Sequence, residues 1–381
     1  TIRRKPVPFA NLSTPALILD KSAMQRNLDH MHARMRAHGV GLRPHLKTAK
    51  SAEVARLAIS GQPGGITVST LAEAEYFFEH GFRDILYAVG IAAGRLSRVA
   101  ALSKAGADIK IITDNIEAVR SIADYPSESG EHFKVLVEVD SGEGRAGVLP
   151  NGPEFMEIAR AIHNGENMIL MGVLTHAGHS YGCKTIDEIK NVAEQERRII
   201  TGAAERLQTE GLPCPIVSAG STPTAVHAEN LDGVTEMRPG VFVFNDLKQL
   251  SVGACERDGL ALSVLASVIG HNRHNGHILL DTGALALSKD ISAHDEHPEV
   301  GYGEVCNADT LEPFDGLVVD AVSQEHGIVP VSNPAQFDAL PIGSQVRILP
   351  NHACITAAGY SHYEVLEDST IIGRWDRVNG W

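Results

Sequence analysis

Lys47 stands in the run Gly41-Leu42-Arg43-Pro44-His45-Leu46-Lys47-Thr48-Ala49-Lys50. Pro44 fixes its own φ, removes a donor and pushes Arg43 out of the helical region, so the run is extended. Helical periodicity begins at Ser51-Ala52-Glu53-Val54-Ala55-Arg56-Leu57-Ala58. Lys47 is therefore expected where a strand gives way to a helix, the edge at which chemistry collects in parallel α/β folds. A lysine amine there can form a Schiff base with an aldehyde cofactor. The plain alternative is a solvated lysine in a turn.

Other polar groups follow strand-like runs in the same way: Ser69-Thr70, Asp140 with Arg145, Thr175-His176 with Tyr181, and Ser218 to Thr222. Each has an ordinary explanation as a loop or cap residue. Gathered on one face, they would form a pocket. Gly220-Ser221-Thr222 before Pro223 reads as a small-residue turn opening a helix, whose free N–H groups and two hydroxyls suit a phosphate. Arg145 lies in a glycine-laced loop and either meets solvent or binds a phenolate or carboxylate oxygen. Arg238, in Met237-Arg238-Pro239-Gly240, has apolar neighbours and so calls for a partner. The ring nitrogen of an aromatic cofactor would serve.

His352-Ala353-Cys354 follows a strand ending at Leu349. Residues at i and i+2 of an extended segment face the same side, so this imidazole and thiolate can reach one zinc ion. Two ligands leave positions open for water and substrate, the arrangement of catalytic sites. Asn351 is expected to assist from behind. Gln324-Glu325-His326-Gly327 is a further polar cluster, either a substrate contact or a solvated loop.

Eight strand-like runs separated by helical periodicity must position these groups. They are Ala16–Asp20, the run ending at Lys47, and those near 66–69, 84–89, 109–113, 134–140, 168–175 and 215–218. Helices fit 21–36, 71–80 and 187–208. The alternation points to α/β architecture, a closed (β/α)8 barrel, with a doubly wound open sheet as the alternative. No Gly-x-Gly-x-x-Gly fingerprint follows the first strand, which weakens the dinucleotide-binding version. After Asp246 the strand-like runs 260–269, 277–281, 317–320 and 345–349 are joined by loops with little helical pattern. The expected division is a barrel over 13–246 and a mostly β domain over 247–381, with residues 1–12 packed on the latter.

A chain of 381 residues with 43% hydrophobic and 21% charged content is ordinary globular protein, long enough for two domains. The net charge of −14 argues against nucleic acid and anionic membranes as partners. The five cysteines are odd in number and scattered, which is not a disulfide framework and favours a reducing compartment. The basic N-terminus has no apolar core behind it, so no signal peptide is expected, and no apolar run approaches the ~20 residues of a membrane span. A cytoplasmic protein is the expectation.

In this order, Arg43-Pro44-His45-Leu46-Lys47-Thr48, the loop from Glu138-Val139-Asp140 to Arg145, Thr175-His176-Ala177-Gly178, Gly220-Ser221-Thr222-Pro223-Thr224, Gln324-Glu325-His326-Gly327 and Pro350-Asn351-His352-Ala353-Cys354 carry a resemblance. The chain resembles the fold-type III pyridoxal phosphate enzymes of the alanine racemase-like superfamily. Within it, the chain is most similar to metal-dependent D-serine and D-threo-3-hydroxyaspartate dehydratases. The resemblance implies a homodimer, an N-terminal barrel, a C-terminal β domain and a site between barrel mouth and β domain. It implies that Lys47 carries pyridoxal 5'-phosphate and that Gly220, Ser221 and Thr222 hold its phosphate. Arg145 would lie near the phenolic oxygen, His176 and Tyr181 would border the cofactor, and Arg238 would face the pyridine nitrogen. His352 and Cys354 would bind a divalent metal, zinc before manganese or cobalt. Gln324 and His326 would face the substrate.

The implied reaction takes a β-hydroxy D-amino acid (D-threo-3-hydroxyaspartate, D-serine or D-threonine) to a 2-oxo acid and ammonia. Related D-threonine and hydroxyaspartate aldolases have Asp where this chain has Cys354, which favours the dehydratases. An aldolase remains the alternative. A racemase ranks lower because no second base is assignable, and a non-catalytic pyridoxal phosphate carrier lacks the β domain. A purely structural zinc would need two more ligands nearby.

Overall fold

A computed structural model describes residues 9, 11–126, 132–293 and 297–381. The chain opens with β1 (Ala16–Asp20) and α1 (Lys21–His38). Then follow β2 (Gly41–Leu42), α2 (Ala52–Ala58), β3 (Ile66–Val68), α3 (Leu71–Glu79), β4 (Asp84–Gly90), α4 (Leu96–Lys104), β5 (Asp108–Thr113) and α5 (Ile116–Ala123). The alternation continues through β6 (Phe133–Glu138), α6 (Pro153–Asn164), β7 (Met168–Leu174), α7 (Ile186–Thr209), β8 (Ile216–Ala219), α8 (Thr222–His227) and β9 (Glu236–Met237). Strands β2 to β9 make one parallel sheet in the order β2-β9-β8-β7-β6-β5-β4-β3. Just past β2, His45 forms a parallel bridge with Thr67, and the Leu46 N–H donates to Thr67 O at 2.8 Å. That bridge ties the two ends of the sheet, so the closed barrel expected from the alternation is the one that forms.

Local chemistry explains where the helices start. Thr70 and Thr185 cap α3 and α7 by accepting the N–H groups of Glu73 and Glu188, and Ser221 with Thr224 makes a capping box on α8. Inside the barrel, Leu86, Ile112, Leu136 and Leu174 from β4 to β7 form one buried cluster. Gly172, at φ +126°, lets β7 approach β8: a Cβ there would lie 2.0 Å from the Ile216 carbonyl oxygen.

The second sheet is mostly antiparallel. After α9 (Leu247–Ser251) come β10 (Leu262–Asn272), β11 (His277–Leu280), α10 (Ala284–Leu287), β12 (Gly303–Asn307), β13 (Pro313–Val318), β14 (Ala321–Val322) and β15 (Gly327–Pro330). Then come α11 (Ala335–Ala339), β16 (Gln345–Pro350), α12 (Ala353–Ala358), β17 (His362–Glu367) and β18 (Thr370–Asp376). The spine runs β13-β12-β16-β10-β1-β17-β18, with β11, β15 and β14 branching from β10.

One strand assignment is corrected here. Ala16–Asp20, read as the first barrel strand, pairs antiparallel with β10 and parallel with β17. The missing barrel strand is β9, paired in parallel with both β2 and β8. Two compact units result: the residues up to Leu28 with Val241–Arg377, and Asp29–Gly240 with Val378–Trp381. The barrel unit thus opens at Asp29 and not at residue 13, because β1 finds its hydrogen-bond partners in the other sheet. Of the segment 1–12, residues 1–8 and 10 lie outside the described residues. Phe9 is buried against Ile18, Leu265 and Leu366, with Leu12 beside them. Among the described residues, no helix is long and apolar enough to cross a membrane.

Candidate active site

At the C-terminal ends of the barrel strands lies a cavity of about 310 Å³. Its walls include Lys47, Arg145, His176, Gly220 and Arg238, five of the residues singled out from the sequence. His45, Ser69 and Glu138 line it too. Residues far apart in sequence thus meet because parallel strands all end on one face.

Lys47 follows the bridge residue His45, and the turn after it ends at α2. Its backbone N–H is 3.5 Å from His45 Nδ1, and the other ring nitrogen lies 3.5 Å from Ser69 Oγ. Burial, with Lys47 and Arg238 close by, holds the His45 pKa well below the ordinary histidine value. The same causes push His176 down to about 3. Both imidazoles are therefore neutral at pH 7. His176 Nδ1 is 3.3 Å from the Gly220 carbonyl oxygen, a bond that an Nδ1–H tautomer donates.

Arg145 is carried by a loop shaped by Asp140, whose Oδ1 accepts the N–H groups of Gly142 and Gly144. The guanidinium is 59% exposed and lies 3.2 Å from Glu143, so it keeps donors available to a ligand. Arg238 is buried instead. Its Nη1 donates to Ser218 Oγ at 2.6 Å and its Nη2 to the Thr175 carbonyl oxygen at 2.5 Å. Burial lowers its pKa to about 10, opposed by Glu236, Glu196 and Glu138. Burial raises the Glu138 carboxyl, with Asp114 adding to the shift.

The turn Gly220-Ser221-Thr222 opens α8 as expected, but its N–H groups are less free than the sequence suggested. Gly220 N–H donates to Glu196 Oε1 at 2.9 Å, and Ser221 N–H to Thr224 Oγ1 at 2.9 Å. Thr222 N–H lies 3.4 Å from the hydroxyl of Tyr181. Glu196 also accepts the Ala177 N–H at 3.1 Å, so one buried carboxylate on α7 joins the β7 and β8 loops. Gly220 sits at φ +109°, and a Cβ there would come within 2.9 Å of Met237 and 3.1 Å of the Arg238 backbone nitrogen. Donor chemistry fits an anionic, phosphate-bearing aldehyde cofactor: Lys47, Arg145 and Arg238 face one carboxylate, Glu138, with a glycine turn alongside.

In the other unit, His352 is the residue before α12 and Cys354 lies in its first turn. The imidazole hydrogen-bonds Cys354, while Nδ1 is 2.8 Å from Asp290 Oδ2. Burial opposes charge on His352, but Asp290 and Cys354 outweigh it and push its pKa up to about 11. Asp246 lies behind them with Oδ2 accepting the Ala353 N–H at 2.8 Å. Asn351 is structural: its amide joins Ala293 and Gly301 rather than the imidazole. Among the described residues, no group of three or more His, Cys, Asp and Glu is arranged to hold an ion. A nitrogen and a sulfur donor side by side, with a carboxylate on the far ring nitrogen, fit a two-ligand open site. Gln324 and His326 lie on an exposed turn between β14 and β15, where Ser323 N–H donates to His326 O at 2.9 Å.

Sequence reasoning missed His45, Glu138, Glu196 and Asp290. His45 and Glu138 carried a signal, as part of the motifs around Lys47 and before Arg145.

The alanine racemase N-terminal domain model matches residues 19–248, and a serine dehydratase domain matches residues 261–366. The chain is 45% identical to D-threo-3-hydroxyaspartate dehydratase of Delftia sp. (strain HT23), covering 97% of this chain and 98% of that protein. It is 34% identical to D-serine dehydratase of Dictyostelium discoideum over the same shares, 97% and 98%. A solved D-threo-3-hydroxyaspartate dehydratase, a cysteine-to-alanine variant in the metal-free form, superposes with a TM-score of 0.94 at 44% identity, covering 97% of this chain and 99% of that one. On these grounds the chain belongs to the fold-type III pyridoxal phosphate enzymes of the alanine racemase-like superfamily, in the branch that carries the serine dehydratase domain.

Proposed function

We propose that this chain is a lyase that removes water from a β-hydroxy D-amino acid and releases a 2-oxo acid and ammonia, with D-threo-3-hydroxyaspartate as its first candidate substrate. The observation that carries the reading is the meeting of Lys47 with two arginines, two neutral imidazoles and a glycine turn in one cavity. The 45% identity to a D-threo-3-hydroxyaspartate dehydratase supports the choice of substrate.

Pyridoxal 5'-phosphate, when bound, supplies an electron sink for the charge left at Cα, and a divalent ion supplies Lewis acidity toward the β-hydroxyl. Lys47 anchors the cofactor aldehyde and is the amine that takes the Cα proton. Gly220, Ser221 and Thr222 hold the phosphate. Arg145 would lie toward the phenolic oxygen, His176 and Tyr181 would border the ring, and Arg238 would lie toward the pyridine nitrogen. A buried guanidinium donates and does not accept, so the nitrogen opposite it keeps its lone pair. His45 and His176, both neutral, add no charge that would compete with Lys47 for the proton.

His352 and Cys354 hold the ion, zinc before manganese or cobalt, and Asp290 fixes the ring of His352. The relative solved in a metal-free form supports a metal requirement. An aldolase would use the same lysine and ion to cleave Cα–Cβ. Cys354, where the related aldolases have Asp, favours elimination. A homodimer follows from the resemblance, and light scattering of the holoenzyme reads it as twice the chain mass. The five free thiols suit the reducing cytoplasm. The test is a panel of β-hydroxy D-amino acids analysed for product: ammonia with a 2-oxo acid supports the proposal, and glycine with an aldehyde replaces it with the aldolase.

A further inference from the structure

We propose that Glu236 is a positioning residue for Arg238, acting through the hydroxyl of Ser218, and that it thereby sets how tightly the barrel holds its cofactor. The proposal rests on the cofactor reading above, and it concerns residues on β8 and β9 that the reading leaves without a role.

Ser218 is fully buried, and its hydroxyl donates to Glu236 Oε1 at 2.7 Å. A serine hydroxyl has one hydrogen and two lone pairs. With the hydrogen committed to Glu236, the oxygen must show lone pairs to Arg238 Nη1, 2.6 Å away. The second oxygen of Glu236 is occupied as well, accepting Arg43 Nε at 2.7 Å. Arg43 in turn straddles Asp84, with Nη1 2.8 Å from Oδ1 and Nη2 2.9 Å from Oδ2. Each donor in this chain has its acceptor, and the order runs one way: Arg43 to Glu236, Ser218 to Glu236, Arg238 to Ser218.

Glu236 accepts on both sides, from Arg43 and from Ser218. Glutamine has the same shape but one donor end. If its NH2 faces Ser218, both lone pairs of the serine oxygen are taken by donors and the hydroxyl hydrogen loses its acceptor. If its NH2 faces Arg43, two N–H groups oppose each other. Either orientation leaves a donor without an acceptor inside a buried network, where an unmet polar group costs most. Arg238 itself donates to neutral acceptors, Ser218 Oγ and the carbonyl oxygens of Ala219 and Thr175, and among the described residues no carboxylate forms a salt bridge with it. Its place at the cavity wall depends on which way Ser218 points.

The test titrates cofactor-free protein with pyridoxal 5'-phosphate, reading the dissociation constant from tryptophan fluorescence and the position of the visible band of the loaded protein. Glu236→Gln and Ser218→Ala should each bind about tenfold more weakly and shift the band, the size expected for a lost buried hydrogen bond to a charged group. Asp84→Asn breaks the far end of the same network. It should lower unfolding stability yet leave the dissociation constant within about twofold, since Glu236 keeps both its donors. Glu236→Gln and Ser218→Ala binding like the unaltered chain would overturn the proposal. So would Asp84→Asn weakening binding as much as Glu236→Gln, since that is what a merely structural role predicts. Should Glu236→Gln fail to fold, Ser218→Ala decides by itself, and unchanged affinity there overturns the idea. If the unaltered chain acquires no visible band, the cofactor reading fails first and the proposal falls with it.

Discussion

Oδ2 of Asp290 lies 2.8 Å from Nδ1 of His352, two residues 62 positions apart in the chain. A carboxylate on one ring nitrogen fixes the tautomer, turns the other nitrogen outward and raises its basicity as a ligand. Ser292 holds the carboxylate in turn through its own N–H, 2.7 Å from Oδ1. Asp290→Asn should therefore weaken zinc binding by about 10- to 100-fold without removing a ligand. Competition against a chromophoric chelator measures this, and an unchanged affinity would leave Asp290 as a mere loop anchor.

Glu196 is the buried link between the His176 loop and the phosphate turn, accepting from Ala177 and Gly220. Burial raises its pKa, and the N–H donors oppose that shift. Glu196→Ala leaves both donors facing a void, at a cost of about 1–3 kcal/mol for each. Urea unfolding should show a loss of that order. Pyridoxal 5'-phosphate affinity should fall in parallel, because Gly220 loses the partner that orients its peptide.

Stability should depend on pH through the two cavity histidines. Folding holds His176 at about 3 and His45 well below its ordinary value of 6.5, both through burial first and then Lys47. Unfolded, both return to about 6.5. Between that value and about 3 the unfolded chain binds more protons, so stability drops as the pH falls through this window and is unaffected by these groups above it. Urea midpoints of the cofactor-free protein at several pH values measure the slope, which should be shallower in His176→Ala.

Lys47→Ala should keep the barrel and lose the visible absorbance of the bound cofactor. Lys47 is exposed at the cavity and forms no part of the buried core, so circular dichroism should be unchanged. A retained visible band would mean that another amine carries the cofactor, and Lys50, the neighbour paired with Glu73, would be the first to substitute.

What the sequence revealed and what it hid have physical reasons. Lys47, Arg145, His176, Gly220 and Arg238 were legible because each follows a strand, and parallel strands end together. The first strand was misassigned because Ala16–Leu19 is apolar throughout and precedes a helix, the same signature as a barrel strand. Strands buried on both faces look alike whichever sheet they join. β9 was hidden for the opposite reason: Glu236–Met237 is two residues long and half charged, and its place is fixed by hydrogen bonds to β2 and β8. Glu196 sits in a helix with Glu188, Glu194 and Glu205, and only tertiary contact distinguishes the buried carboxylate from its neighbours. Asp290 has no spacing relative to His352 that any periodicity would betray.

The most direct measurement is release of 2-oxo acid and ammonia from D-threo-3-hydroxyaspartate by chelator-stripped enzyme before and after zinc is restored. The account predicts almost no product without the ion and equal amounts of the two products once zinc returns, with His352→Ala and Cys354→Ala unable to respond. Full turnover by the stripped enzyme, or glycine in place of ammonia after zinc is restored, would contradict it.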